Sequence, residues 1–194
     1  MLTLLTTGHL TSTLATRAIV GALTLWTLLP GPAFAEKITP PSVPAKIAVP
    51  AGNVPYLVGY ARGTQNYTCQ VSSSGYSWTL VTPEATLVDG RGKPIMTHYA
   101  GPTWQATDGS KVVGARVDGE TVSPSAIPWL LLRAASTTQG TDGGDRLTHT
   151  TYIQRVNTTG GLAPTSGCDQ AALGTARNVQ YTADYYFFKA VESL

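Results

Sequence analysis

Residues 179–187 read VQYTADYYF, and this stretch decides the fold class. Every second side chain is apolar or aromatic, which is the period of a β-strand with one buried face. That face consists of Val179, Tyr181, Ala183, Tyr185 and Phe187. A helix would scatter the same residues around its surface. We therefore predict a long strand near the C-terminus.

Similar runs continue toward the N-terminus and are separated by turn signals. The strand-like runs are residues 76–80, 85–88, 111–117, 129–132 and 147–156. Asp-Gly pairs at Asp89, Asp108 and Asp118 are typical of tight turns. We predict an all-β domain over residues 51–194, folded as an antiparallel β-sandwich or a jelly-roll-like domain with little helix. The Gly-rich stretch Ser136–Asp145 is predicted to be a mobile loop insertion.

The N-terminus has the three parts of an export signal. Arg17 supplies a positive charge, an apolar run follows over residues 18–29, and the stretch PGPAFA at 30–35 ends in an Ala-x-Ala cleavage signal. The apolar run is too short to span a bilayer, which needs about 20 residues. We predict a signal peptide over 1–35, removed on export to the periplasm, the cell surface or the medium, and no membrane span in the mature protein.

A lead-in over residues 36–50 follows the signal peptide. It contains Pro40, Pro41, Pro44 and Pro50. Such a Pro-rich segment is extended, and we predict that it is only loosely attached to the domain.

The two cysteines are Cys69 and Cys168, and both lie in the predicted mature part. An oxidising compartment favours a disulfide between them. In the chain-entropy model, closing a loop of about 100 residues stabilises the fold by up to about 4.7 kcal/mol. Two buried free thiols are the less favoured alternative.

The charge of the mature part argues against nucleic acid as a partner. The whole chain has 13 Lys and Arg against 11 Asp and Glu; residues 1–35 contain Arg17 and no acid, so 12 against 11 remain, a net charge of +1. Nucleic-acid binding requires a basic patch, and no basic block is present. The sequence gives no basis for predicting an oligomeric state.

Five spaced motifs run along the predicted domain. They are LVTPEATLVD at 80–89, HYAGPTW at 98–104, DGSK at 108–111, TYIQRVNTTGG at 151–161 and YTADYYFF at 181–188. Together they resemble a secreted family of bacteria and fungi known as domain of unknown function 3455, over roughly residues 50–189. The resemblance implies a secreted β domain and implies no chemistry.

The string HYAGPTW is the most unusual local feature. It places His98, Tyr99 and Trp104 around a Gly-Pro turn, with Asp108 shortly after it. Aromatic rings on such a loop can stack on a sugar face or an apolar ligand. We predict these four residues as a candidate site for a carbohydrate or another small ligand. The alternative is that Trp104 plugs the end of the domain and Tyr99 covers it.

Catalytic and metal signatures are weak. His98 and His149 are the two histidines of the mature part, and His98 would need Met96, Asp108 or His149 beside it to hold a metal or activate water. We name no catalytic residues, and we expect no metal and no cofactor. The leading hypothesis is a non-enzymatic ligand-binding or surface-associated module. The alternatives are a secreted hydrolytic or metal-dependent enzyme that uses His98, and a structural component of the envelope or wall.

Two further expectations concern polar residues in strand-like runs. Arg133 and Arg155 are expected to extend to solvent or to pair with an acid such as Asp184. Asn66 and Asn157 begin Asn-x-Thr sequons, which would be glycosylated only in a eukaryotic host.

Overall fold

A computed structural model of the chain describes residues 1–3, 8 and 37–192. The predicted signal peptide lies almost entirely outside the described residues. A single turn of 3₁₀ helix, Ala45–Ile47, precedes eight strands. They are β1 (Asn53–Ser72), β2 (Gly75–Val88), β3 (Pro94–Tyr99), β4 (Thr103–Ala106), β5 (Lys111–Glu120), β6 (Trp129–Thr138), β7 (Thr150–Gly160) and β8 (Ala176–Ala190).

The eight strands form one antiparallel sheet that closes on itself. Each strand pairs with the next along the chain, and β8 pairs with β1 to close the barrel. The β1–β8 ladder runs from Asn53 opposite Ala190 to Thr68 opposite Ala176. The predictions of an all-β antiparallel domain, of little helix and of one disulfide are confirmed. The prediction of a sandwich or jelly roll is not confirmed, because the pairing of β1 with β8 leaves a single sheet.

The interior of the barrel is the main apolar core. The predicted face of β8 points inward, and Tyr181, Ala183, Tyr185 and Phe187 are all buried there. The largest fully buried side chain is Trp104 of β4. Gly114 of β5 makes room for it, since a Cβ at that position would lie 3.0 Å from Cζ3 of the indole. Residues of one alternating face therefore fill the barrel, as in other small barrels.

The Pro-rich lead-in packs on the outside of the barrel. Ile47 is fully buried, and its carbonyl oxygen accepts a hydrogen bond of 2.8 Å from Nε2 of Gln154. Nζ of Lys46 lies 2.6 Å from Oε2 of Glu120. Apolar residues of the lead-in cover Tyr186 and Phe188, which face outward from β8. The prediction of loose attachment is wrong, because the outward residues Tyr186 and Phe188 near the end of β8 are aromatic and the lead-in buries them.

The β1–β2 hairpin extends past the barrel as an arm, defined here as residues 66–82. The disulfide Cys69–Cys168 joins this arm to the β7–β8 loop, with an S–S distance of 1.99 Å. Nε1 of Trp78 also donates to the carbonyl oxygen of Ser166 at 2.9 Å. Tyr67, Cys69 and Trp78 form a small core of their own with the loop. The arm is thus fixed in position by a covalent bond and by packing.

None of the helices in the part of the chain that the structure describes has the length and apolar character needed to cross a bilayer.

Candidate functional site

The two ends of the barrel are built from different connections. The closed end comprises the turns at residues 89–93 and 107–110 and the loop 139–149. The open end comprises the arm, the Gly101-Pro102 turn between β3 and β4, and the loops 121–128 and 161–175. The alternation of up and down strands places these groups at opposite ends.

A cavity of about 280 Å³ occupies the open end, and we call it the mouth cavity. Its volume lies near the lower limit of ligand sites, which hold roughly 300–1,000 Å³. Its apolar lining consists of Leu80, Val81, Pro83, Leu130 and Leu132. The polar side chains that line it are Gln65, His98, Trp104, Arg155 and Tyr185. An apolar wall with a few polar groups is typical of a small-molecule site.

His98 and Trp104 form one unit in the wall of this cavity. They are paired across the β3–β4 hairpin, and their rings stack at 4.3 Å with an interplanar angle of 10°. Tyr185 and Phe187 meet the indole edge to face. His98 is 3% exposed and Trp104 is 1% exposed. The indole faces are therefore covered by protein, and its polar N–H edge remains as the group that can serve a ligand.

The hydrogen bonding of His98 fixes its tautomer. Its Nδ1 lies 2.9 Å from the carbonyl oxygen of Thr103, which can only accept, so Nδ1 carries the proton. Burial lowers the pKa of His98 from 6.5 to about 4; the hydrogen bond to Thr103 opposes this shift and the charge of Arg155 adds to it. At neutral pH the ring is uncharged and presents the lone pair of Nε2.

Two side chains that line the mouth cavity carry a buried N–H donor with no acceptor among the residues that the structure describes. The donors are Nε2 of Gln65 and Nε1 of Trp104. The other buried polar atom without a partner in that part of the chain is Oδ1 of Asn66, whose neighbour Gln65 points into the barrel. Buried donors are almost always hydrogen-bonded, so two on side chains that line the same cavity need an explanation.

Arg155 brings a positive charge to the same cavity. Its Nε and Nη2 donate to the carbonyl oxygen of Pro128 at 3.1 and 2.8 Å. Within residues 37–192 no carboxylate oxygen lies within 4.0 Å of its guanidinium. The expected pairing of Arg155 with Asp184 is wrong, because Arg155 faces the barrel interior and Asp184 faces outward. Asp184 instead accepts a hydrogen bond of 2.8 Å from Nδ2 of Asn157.

The structure separates the four candidate ligand residues. His98 and Trp104 lie together in the mouth cavity. Tyr99 points to the outside of the barrel, where its hydroxyl donates to Oε1 of Gln105 at 3.0 Å. Asp108 lies at the closed end and contacts Ser110 and Arg146. Trp104 is buried, as the plug hypothesis requires, but a cavity lies beside it.

The partners that an enzyme or metal site would need are not beside His98. Neither Asp108 nor any other described carboxylate lies within 4.0 Å of a His98 nitrogen. His149 is exposed and lies in the loop just before β7. No group of three or more His, Cys, Asp or Glu that could hold a metal is found among residues 1–3, 8 and 37–192.

Sequence reasoning missed Gln65 as a site residue and misjudged Arg155. The signal for Arg155 is its position two residues after Ile153, on the inward face of an apolar strand. Nothing in the sequence around Gln65 distinguishes it from a solvent-facing glutamine such as Gln70. Its inward position depends on the register of β1, which has a bulge after Asn66.

The two sequons differ in accessibility. Asn66 is half-buried in β1 and lies opposite residues of both β2 and β8. Asn157 is exposed and has a left-handed backbone conformation, with φ of 51°.

Comparison with known proteins gives one match. A family model described as a protein of unknown function (DUF3455) matches residues 50–189. No curated protein and no solved structure matches the chain.

Proposed function

We propose that this chain, which belongs to the DUF3455 family of proteins of unknown function, is a non-enzymatic binding protein whose mouth cavity holds one small amphipathic molecule. The observation that carries the proposal is that Gln65 and Trp104 both line the cavity and that each carries a buried N–H donor with no acceptor among the described residues. Leaving a buried donor unsatisfied costs about 1–3 kcal/mol. A ligand oxygen that reached these donors would remove that cost and would therefore be bound favourably.

The lining indicates a small molecule more than a saccharide chain. The cavity is about 280 Å³, and its wall includes Leu80, Val81 and Leu130. Sugar recognition uses an open aromatic face, whereas His98 stacks on one face of the Trp104 indole. The N–H edge of Trp104 can instead bond to the head group of a ligand whose apolar body lies along the wall.

Export is part of the proposal. The disulfide between Cys69 and Cys168 is compatible with an extracytoplasmic location. The signal-like N-terminus, with its Ala-x-Ala site at residues 33–35, supports the same location. A binding protein outside the cytoplasm also benefits from the disulfide, because that bond fixes the arm that forms one side of the mouth cavity.

The test uses the indole N–H signals of the protein in a ¹⁵N–¹H correlation spectrum. The probes are hexanoate, hexanamide and 1-hexanol, each at up to millimolar concentration. We expect at least one of them to shift the Trp104 signal, identified by its loss in Trp104→Phe. The Trp78 signal is the internal control, because its N–H already donates to Ser166 and lies outside the mouth cavity.

A matched pair of variants locates the binding. Val81 and Val71 are exposed valines of the arm, with 57% and 70% exposure, and only Val81 lines the mouth cavity. We expect Val81→Trp to block the shift of the Trp104 signal and Val71→Trp to leave it unchanged. If none of the three probes moves this signal, or if Val81→Trp has no effect on a shift, the proposed function is wrong.

A further inference from the structure

The charge in the mouth cavity has no counterion in the described part of the protein. Arg155 is half-buried, lines the cavity, and lies in β7 opposite Leu130 and Tyr185. A guanidinium stays protonated in proteins. A charge held among apolar side chains is costly unless it is paired. No carboxylate of residues 37–192 reaches it, so an anionic group supplied by a ligand would lower that cost.

The position of the guanidinium is fixed before any ligand arrives. Two of its nitrogens, Nε and Nη2, share the carbonyl oxygen of Pro128. Nη1 makes no hydrogen bond to a residue that the structure describes. The guanidinium of Arg155 is therefore held through Nε and Nη2, and the N–H groups of Nη1 remain available to a ligand.

Arg155 lies close to the residues that carry the two unsatisfied donors. Its charge contributes, after burial, to the low pKa of His98, which stacks on Trp104. Burial raises the pKa of Tyr181 and the charge of Arg155 opposes that change. A Cβ on Gly161 would meet both Tyr181 and Gln65 at about 3 Å, so Gln65 lies in the same neighbourhood. The three donor groups thus belong to one pocket.

We propose that the ligand carries a carboxylate, which pairs with Arg155 and accepts hydrogen bonds from Gln65 and Trp104. This inference rests on the proposed function and specifies the ligand class: a small monocarboxylate with an apolar body. A carboxylate is acceptor-only and offers about four lone-pair sites, which suits a set of donors. Hydrogen bonds to an ionised acceptor are roughly twice as strong as neutral ones.

The remaining surface of the mouth cavity supports a single charge on the ligand. Arg155 is the one Lys or Arg of its lining, and His98 is uncharged at neutral pH. The lining also includes Leu80, Val81 and Pro83 of β2, which would contact a hydrocarbon body. A phosphate or a dicarboxylate would leave negative charge against this apolar wall.

The experiment compares hexanoate with hexanamide by titration calorimetry at pH 7.5, because the two have similar shape and differ in charge. We expect hexanoate to bind at least about tenfold more tightly. Raising NaCl from 50 to 500 mM should weaken the binding of hexanoate about threefold and leave that of hexanamide unchanged. This comparison needs no variant.

Variants then assign the preference to Arg155. Arg155→Met should reduce the hexanoate preference to within about twofold of hexanamide, and Arg155→Lys should keep part of it. Arg133→Met is the matched control, because Arg133 is an exposed arginine of the neighbouring strand β6. Arg155 also bonds to Pro128, so each variant is first checked by circular dichroism, and the wild-type salt dependence decides the case if a variant does not fold.

The outcomes separate the two proposals. If hexanamide binds as tightly as hexanoate in the wild type, the carboxylate inference is wrong and the binding function stands. The same conclusion follows if Arg155→Met folds and keeps the full preference. If none of the three probes, hexanoate, hexanamide and 1-hexanol, binds or shifts the Trp104 signal, both proposals fail.

Discussion

The closed end and the open end of this barrel treat buried polar groups in opposite ways. At the closed end each buried polar side chain has a partner. Ser110 is fully buried, and its hydroxyl donates to Oδ1 of Asp108 at 2.6 Å and accepts from the backbone N–H of Leu147 at 3.1 Å. At the open end the donors of Gln65 and Trp104 have no acceptor among the described residues.

The glycines of the β6–β7 loop allow the closed end to close. A Cβ on Gly144 would lie 2.0 Å from the carbonyl oxygen of Asp108, so only a glycine lets the loop approach this turn. The loop then places Leu147, which is fully buried, into the end of the barrel. The Gly-rich stretch is therefore packed against the barrel, and its interpretation as a free insertion is wrong.

The difference between the ends distinguishes polar groups that stabilise the fold from polar groups that are available to a ligand. The closed end satisfies its groups from within the chain, which stabilises the folded state. Both ends have a cavity, but the open end combines its cavity with unsatisfied donors, a combination that lowers stability and that binding would compensate. Three changes, taken from the largest expected effect to the smallest, test this comparison.

The first change removes the central acceptor of the closed end. The carboxylate of Asp108 accepts from the backbone N–H groups of Ser110 and Arg146 and from the Ser110 hydroxyl. Burial would raise its pKa, but these hydrogen bonds outweigh burial and lower it. We expect Asp108→Ala to reduce the free energy of unfolding by about 3 kcal/mol, measured by urea titration. Asp142→Ala, at an exposed position of the same end, is the control. A loss equal to that of the control would mean that the closed end does not depend on this network.

The second change titrates His98 at the open end. Its pKa is about 4 in the folded protein and 6.5 ordinarily, so between these pH values the unfolded chain binds a proton that the folded protein does not. Stability is therefore complete above pH 6.5 and falls as the pH is lowered toward 4. We expect a loss of about 2 kcal/mol between pH 7.5 and pH 5.

His98→Asn separates this effect from other titrating groups. The asparagine amide keeps a donor for the Thr103 carbonyl but does not titrate. The stability lost between pH 7.5 and pH 5 should therefore be smaller in this variant by most of the expected loss of about 2 kcal/mol. His149→Asn, at an exposed histidine, is the matched control for the substitution itself. An unaltered profile in His98→Asn would show that the ring is not buried as described.

The third change replaces an unsatisfied donor. Gln65 is 2% exposed, and Nε2 of its amide has no described acceptor. Methionine has a similar length and no N–H, so Gln65→Met should raise the free energy of unfolding by about 1 kcal/mol without ligand. Gln70→Met, on the exposed part of β1, should change stability by less than about 0.5 kcal/mol. A destabilised Gln65→Met would indicate that the amide is satisfied, and the contrast between the ends would be lost.

The sequence predicts much of the fold and only part of the site. The alternation of apolar and polar side chains identified strand β8, and the face that was predicted to be buried is the one that points into the barrel. The pair Cys69–Cys168 followed from the number of cysteines and the predicted compartment. The prediction for the lead-in was wrong because the lead-in packs on Tyr186 and Phe188, which point outward from β8. The alternation along β8 does not show which segment of the chain covers these two residues.

The site was found only in part because its members come from distant strands. His98 and Trp104 were recognised as a local string, and the structure keeps them together across one hairpin. Asp108 is near them in sequence but lies at the opposite end, because β4 carries the chain across the barrel between Trp104 and Asp108. Arg155 and Gln65 are far from both in sequence and reach the cavity through the closure of the barrel.

The sequence by itself determined that this chain forms antiparallel strands with one apolar face and a single disulfide, because side-chain alternation and cysteine number are local properties. Only the tertiary structure decided that the apolar face lines the inside of one barrel. The alternation of side chains is the same whether that face packs against a second sheet or against the opposite wall of the same closed sheet. The tertiary structure also decided which end of the barrel is closed. Whether a buried donor finds an acceptor depends on strands that are remote in sequence, and for Gln65, Trp104 and Arg155 those strands meet only when β8 pairs with β1.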